Sequence, residues 1–248
     1  MVNFRLDGHR VLVTGAGRGL GRAIADGLAE LGATVYGTSR DAAIAQQIGK
    51  RYGTLSLSVE MTEPNSIQEF VDKLQSDSGG IDMLVNNAGV NIPRPAIEVS
   101  SQDWDTVFDT NLKGNFFLST ALAKSWMETN SAGSIVNITS QAGIVGIEER
   151  AAYGTSKAGL IHLTKILALE WAQNRIRVNA VAPTFIRTEM TESTLTRPEW
   201  AAELLSRIPI GRFGEPEDVV GAVAFLLSDA ALLITGHNIT IDGGYTIR

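Results

Sequence analysis

Short β-branched runs alternate with long helical patterns along almost all of this chain, and that alternation leaves few folds open. Val11–Thr14 is an apolar run closed by a glycine-rich turn, and Leu20–Leu31 then carries apolar residues at helical spacing. Thr34–Thr38 reads as the next strand and Asp41–Tyr52 as a helix. Leu55–Val59 alternates, and Pro64 then opens a helix from a first-turn position. Met83–Asn86 is short and apolar, and one long helix fits Gln102–Met127. Ile135–Thr139 is a strand, Ala152–Trp171 a helix, and Arg177–Ala182 a strand stopped by Pro183. A helix over Pro216–Leu227 and a strand over Asn238–Ile241 complete the pattern. About seven strands separated mainly by helices predict an α/β fold, a doubly wound parallel sheet with helices on both faces. No repeat or linker interrupts the 248 residues, so 1–248 reads as one domain. Thr184–Arg212 is too polar and too broken for the core; such a segment near the carboxyl ends of strands forms a lid or binding loop, here about 184–212.

Composition removes several classes of function. A net charge of −6 lacks the basic face that nucleic-acid phosphates require. There is no cysteine, which excludes disulfides, thiol catalysis and zinc–thiolate sites. His9, His162 and His237 lie far apart without the i, i+4 partner of a metal-binding helix, so no metal is expected. The amino terminus lacks the apolar run of a signal peptide, and no stretch approaches the ~20 residues of a membrane span. A cytoplasmic enzyme or binding protein is expected.

Thr14-Gly15-Ala16-Gly17-Arg18-Gly19-Leu20-Gly21 lies between the first strand and the first helix. Glycines there let the backbone turn sharply and approach a pyrophosphate at the helix amino terminus. The second strand ends Thr38-Ser39-Arg40. In a dinucleotide fold an acid at this end holds the adenosine ribose hydroxyls, whereas arginine suits a 2′-phosphate. Ser39 takes the acid's place, with Arg40 beside it and Arg18 available from the glycine turn. Two guanidinium groups around one phosphate favour NADP(H) over NAD(H).

Tyr153 and Lys157 stand four apart, so on a helix both project from one face. A free phenol, with a pKa of about 10, is a poor proton donor or acceptor at neutral pH. An ammonium beside it favours the phenolate and pulls that pKa toward the working range. The pair is an acid–base device for an oxygen atom. Gly154–Gly159 resembles a serine nucleophile elbow only loosely, because its second glycine falls one residue late.

With these residues the chain resembles the short-chain dehydrogenases/reductases over essentially its whole length. The resemblance rests on Thr14-Gly15-x-x-x-Gly19-x-Gly21, Asn86-Asn87-Ala88-Gly89, and Asn111, Ser140, Tyr153 and Lys157 in the family's order and spacing. The ending Gly236-His237-Asn238-Ile239-Thr240-Ile241-Asp242-Gly243-Gly244 adds to it. It implies a Rossmann fold and roles for particular residues. Ser140 would polarise the substrate carbonyl, Tyr153 would hand over or remove the proton, and Lys157 would lower the tyrosine pKa and hold the nicotinamide ribose. Asn111, inside the long helix, would anchor a water chain from Lys157 to solvent. Asn87, Ala88 and Gly89 would line the adenosine-ribose side. Gly15, Gly17, Arg18, Gly19, Leu20 and Gly21 would hold the pyrophosphate. Pro183, Ile186 and Thr188 would lie by the nicotinamide, with Thr188 on its carboxamide. Family members usually carry Asp after the third strand; here Glu60, followed by Met61, would make the adenine contact with a longer arm. Pro183-Thr184 replaces the usual Pro-Gly, which puts a β-carbon beside the nicotinamide pocket.

Ser140, Gln141, Tyr153 and Arg187 are the candidate substrate contacts. Glu148-Glu149-Arg150 and Arg187 place polar groups at the entrance, which suits a small hydroxylated or anionic substrate such as a sugar, sugar acid or polyol. A 3-oxoacyl-carrier-protein reductase is the alternative, with Arg187, Arg197, Arg207 and Arg212 as its basic docking rim. A non-catalytic NADP(H)-binding sensor is the alternative of another class, and the full acid–base set speaks against it. The family resemblance implies a homotetramer, or a dimer, built on the long helices, with Trp126 and Trp171 as interface anchors or as core residues.

Overall fold

The computed structural model of the protein describes residues 3–247. Seven parallel strands form one sheet in the order β3-β2-β1-β4-β5-β6-β7. The strands are β1 (Arg10–Val13), β2 (Thr34–Ser39), β3 (Leu57–Ser58), β4 (Met83–Asn86), β5 (Gly133–Ile138), β6 (Ile176–Pro183) and β7 (Asn238–Ile241). Between them run α1 (Gly19–Glu30), α2 (Ala42–Tyr52), α3 (Pro64–Ser78), α4 (Ser101–Phe108), α5 (Asn115–Glu128), α6 (Ala151–Trp171), α7 (Glu189–Leu195), α8 (Pro198–Ser206) and α9 (Glu217–Leu227). The strand order reverses between β1 and β4, and a crevice opens there at the carboxyl ends of the strands.

Side-chain alternation along each strand feeds two cores. Val11 and Val13 point to one face, where they meet Ile24 and Leu28 of α1 and Val219, Val223 and Leu226 of α9. Leu12 points to the other, with Leu84, Ile135 and Val178, against Ile67 and Val71 of α3, Leu118 and Leu122 of α5 and Leu167 of α6. Strands buried on both faces read as unbroken apolar runs, which is why they stand out in the sequence.

Four expectations are corrected. The helix expected over Gln102–Met127 is α4 and α5 joined by a π-helical stretch, Asp109–Gly114. The strand expected over Leu55–Val59 shortens to two residues at the sheet edge. β6 continues into Pro183 instead of stopping before it. Ala180 and Thr184 donate toward β7, so the missing proline N–H faces β5, whose pairing with β6 already ends at Val181. The 184–212 segment is not irregular: α7 begins with a Thr188–Thr191 capping box, and α8 has Pro198 in its first turn. Leu204 and Ile208 there pack with Phe185, Phe213 and Tyr245 in a small core of their own.

Both candidate interface tryptophans are core residues. Trp171 is 8% exposed and Trp126 2%. The Trp126 ring lies where any β-carbon on Gly133 would stand, and its Nε1 donates to the Ile81 carbonyl at 2.5 Å. Trp126→Ala is expected to cost about 3–5 kcal/mol, through an internal cavity and an orphaned carbonyl. Urea unfolding reads this directly, and an unchanged midpoint contradicts the placement.

Candidate active site

The glycine turn is held from β4. Thr14 Oγ1 accepts from the backbone N–H of Asn87 at 3.0 Å and of Ala88 at 2.9 Å. The Asn87 amide donates back to the carbonyls of Thr14 and Gly15, at 2.9 and 3.4 Å. The turn therefore closes on the crevice wall, and Gly15 adopts a φ of +67°. A β-carbon on Gly21 would lie 2.3 Å from both the Gly15 carbonyl and the Asn87 amide, so only glycine lets α1 begin this close. The first N–H groups of α1 then face a cleft of about 330 Å³.

One end of the cleft is basic. Arg18 and Arg40 are exposed, line it, and have no carboxylate partner among the described residues. Ser39 Oγ, beside them, accepts from the Asp41 N–H at 3.1 Å, while Asp41 caps α2. Glu60 lines the next stretch of wall, its carboxylate accepting from the Thr62 N–H and hydroxyl. Met61 follows, its carbonyl against Gly114, where a β-carbon would collide. These residues fit a dinucleotide: a bare-backbone cradle for a pyrophosphate and two free cations for a further phosphate.

The other end carries the acid–base groups. Ser140 leaves the end of β5, and its Oγ accepts from the Ala142 N–H at 3.2 Å. Tyr153 and Lys157 project from one face of α6, with Lys157 Nζ 5.8 Å from the phenol ring centroid. Lys157 is buried, and its Nζ donates to the Ile138 carbonyl at 2.8 Å. Burial lowers its pKa to about 8. Burial also raises the Tyr153 pKa, while a hydrogen bond with Ser140 and the nearby Arg150 guanidinium pull it back. The downward pull on the phenol in this structure comes from Ser140 and Arg150, two groups other than Lys157.

Gly19, Leu20, Ala88, Gly89, Pro183, Ile186 and Thr188 also line the cleft. Four candidates do not line the cleft. Gly17 packs on α2, where a β-carbon would meet Ile44. Asn111 is fully buried in the π-helical stretch. It clamps Val90, accepting from its N–H at 2.8 Å and donating to its carbonyl at 2.9 Å, and donates to Ser156 Oγ at 3.1 Å. Gln141 is buried with neither end of its amide hydrogen-bonded. Arg187 turns away to Glu215 at 3.2 Å and stacks on Phe213. Thr184, whose β-carbon was expected beside the pocket, lines it with a buried, unpartnered hydroxyl. Sequence reasoning passed over Thr14 as a clamp and Glu189, whose carboxylate approaches Gly19. The acid directly after Thr188, in the first turn of a helix, was the available signal for the last.

Residues 15–246 match the family described as enoyl-(acyl carrier protein) reductase. The chain is 40% identical to D-threitol dehydrogenase of Mycolicibacterium smegmatis over 251 residues, covering 99% of this chain and 96% of that protein. It is 42% identical to a 3-oxoacyl-(acyl-carrier-protein) reductase of Thermotoga maritima over 249 residues, covering 98% and 100%. Among solved structures it superposes on a gluconate 5-dehydrogenase from Burkholderia cenocepacia J2315 in complex with NADP and tartrate. That match has a TM-score of 0.94, 31% identity, and coverage of 99% and 98%. Fold, site and relatives together define an oxidoreductase acting on CH–OH groups. The chain belongs to the short-chain dehydrogenase/reductase family.

Proposed function

We propose that this protein is an NADP(H)-dependent oxidoreductase that interconverts a ketone and a secondary alcohol on a small polar substrate of the sugar, sugar-acid or polyol kind. One juxtaposition carries the reading: Ser140, Tyr153 and Lys157 meet at one end of a cleft whose other end holds Arg18 and Arg40 unpaired.

The chemistry supplied by bound NADPH is hydride transfer. Ser140 donates a hydrogen bond to the substrate carbonyl and polarises it. Tyr153 gives that oxygen its proton on reduction, and as phenolate removes it on oxidation. The Lys157 ammonium has three donors; one goes to Ile138, which leaves others for the nicotinamide ribose. Asn111, clamped to Val90, holds the wall behind Gly89. The 184–212 segment acts as a lid on the same cleft, since Thr184, Ile186, Thr188 and Glu189 all line it.

The docking rim of a carrier-protein reductase finds less support. Arg187 pairs with Glu215, Arg207 with Glu203 and Arg212 with Asp218, which leaves Arg197 without a carboxylate among the described residues. A small substrate fits better. Purified protein given NADPH and a panel of ketones should consume nicotinamide absorbance; no turnover with any ketone or either cofactor would return the reading to a nucleotide sensor.

The direction of the Tyr153 shift sets the pH dependence. A phenol pKa raised by burial keeps Tyr153 protonated at neutral pH, ready as an acid and unready as a base. Reduction should therefore be favoured near neutrality, and kcat/KM for alcohol oxidation should climb as pH rises into the alkaline range. Parallel pH profiles of the two directions check the sign; oxidation that is fastest in acid contradicts it.

The assembly we propose is a homotetramer of this cytoplasmic enzyme, formed through the helices around the π-helical stretch. Phe108, Leu112 and Phe116 on one side and Leu163 and Ile166 on the other line an apolar surface groove, and Ile166 and Leu169 of α6 are exposed. A second copy of this face would cover them. Sedimentation should give a mass above that of one chain, and a stable monomer at micromolar concentration refutes the assembly.

A further inference from the structure

The lid sets an acid against the start of α1. Glu189, the first residue of α7, lines the cleft. Its Oε2 lies 3.1 Å from where a β-carbon on Gly19 would stand, and Gly19 is the first residue of α1. Thr188 closes on the same point, its Cβ and Cγ2 each 3.4 Å away. The lid and the phosphate cradle therefore meet at one glycine, held at a φ of +51°. No ion pair draws the carboxylate there. The lid's neighbouring pairs are Arg187 with Glu215, Arg207 with Glu203 and Arg212 with Asp218. Glu189 is exposed, and among the described residues no cation lies within ion-pair distance of it.

The backbone fixes where this acid arrives. The Arg187 N–H donates to the Gly214 carbonyl at 2.9 Å, and the Gly214 N–H to the Phe185 carbonyl at 3.0 Å, which anchors the root of the lid. The Thr188 N–H donates to Thr191 Oγ1 at 3.1 Å, and the Thr191 hydroxyl donates to the Ile186 carbonyl at 2.5 Å. The first turn of α7 is thus tied to the strand end before it, and Glu189 is carried to α1 with it. The first N–H groups of a helix carry a partial positive charge that favours an anion. A carboxylate beside Gly19 takes part of that field. A pyrophosphate seeks the same N–H groups and carries a charge on each phosphate, so carboxylate and pyrophosphate repel each other at this range.

We propose that Glu189 is an autoinhibitory contact of the lid: its carboxylate takes the positive end of α1, and a dinucleotide gains its pyrophosphate site only by displacing it. The lid then holds cofactor affinity below what the cradle alone would give, by the share of molecules in which the carboxylate keeps that end. The inference rests on the dinucleotide reading of the cleft and adds a control on its pyrophosphate end. It is separate from Arg18 and Arg40, which act on the phosphate of the adenosine ribose.

The test is calorimetric titration of the purified protein with NADP⁺, NAD⁺ and 2′-AMP, so no outcome depends on turnover. The two dinucleotides carry a pyrophosphate, whereas 2′-AMP carries the ribose phosphate alone. Glu189→Gln keeps the size of the side chain and removes its charge. It should tighten NADP⁺ and NAD⁺ binding roughly 10-fold and leave 2′-AMP binding unchanged. Raised salt should shrink that gain. Glu192→Gln is the control, because Glu192 shares the first turn of α7 without lining the cleft. It should leave all three affinities unchanged. Dinucleotide binding that is unchanged or weaker in Glu189→Gln overturns the proposal. So does an equal gain for 2′-AMP, or an equal gain in Glu192→Gln, since the general charge of the lid would then be acting in place of the contact. If Glu189→Gln tightens both dinucleotides but wild type binds NADP⁺ no better than NAD⁺, the lid contact stands and the NADP(H) preference falls. If wild type prefers NADP⁺ and Glu189→Gln changes nothing, only the lid contact falls.

Discussion

Tyr153→Phe is expected to remove nearly all turnover while cofactor affinity stays close to wild type. The substitution deletes one hydroxyl and leaves the ring, the α6 backbone and the Lys157–Ile138 bond in place. What disappears is the transferable proton and the hydrogen bond with Ser140. A positioned general acid contributes about 10²–10⁴-fold, so the residual rate should lie near or below one per cent. Steady-state kinetics in both directions, with a separate fluorescence titration of NADPH, divide chemistry from binding. A variant that keeps more than a few per cent of the rate refutes the role of Tyr153. Lys157→Met should behave differently. Its ammonium is buried and bonded to the end of β5, so its loss should depress turnover and cofactor affinity together.

Much of the fold was legible because its strands are buried on both faces and its turns carry glycine or proline. Each short apolar run became a strand in the expected place. The reading failed where a contact distant in sequence decides local geometry. Nothing near Asn111 announces that its amide will clamp Val90, 21 residues earlier, yet the backbone departs from α-helical spacing in that stretch. The 184–212 segment looked irregular because α7 and α8 are short and the apolar residues that fix α8, Phe185 and Tyr245 among them, lie outside it.

The candidate site shows the same division. Tyr153, Lys157 and Ser140 were legible because spacing on a helix and position at a strand end determine where they point. Arg187 was misjudged as an entrance group, because its partner Glu215 is brought to it only by the fold. Glu148, Glu149 and Arg150 read together as polar groups at the entrance, whereas Arg150 is buried after the left-handed turn at Glu149. Gly17 resembled a phosphate-loop glycine, whereas the structure requires its missing β-carbon for packing on Ile44.

Cofactor choice is the second large effect. Arg18 and Arg40 reach the cleft with no carboxylate to satisfy among the described residues, and Ser39 stands where an acid would repel a 2′-phosphate. A charge-assisted hydrogen bond from a partly exposed arginine should favour NADPH over NADH by roughly one to two orders of magnitude. Ser39→Asp combined with Arg40→Leu is expected to reverse that preference, mostly through the Michaelis constant for cofactor. The new carboxylate would repel the phosphate and accept from the free ribose hydroxyls instead. It should also keep an acceptor near the Asp41 N–H that Ser39 now binds, so the start of α2 need not unravel. Raised salt should weaken NADPH binding more than NADH binding, because only the former relies on the additional charge pair. Arg18→Ala alone should lower the NADPH preference by less than the double substitution, since Arg40 remains. Wild-type kcat/KM values that are equal for NADH and NADPH would show that Ser39 and Arg40 do not read the phosphate.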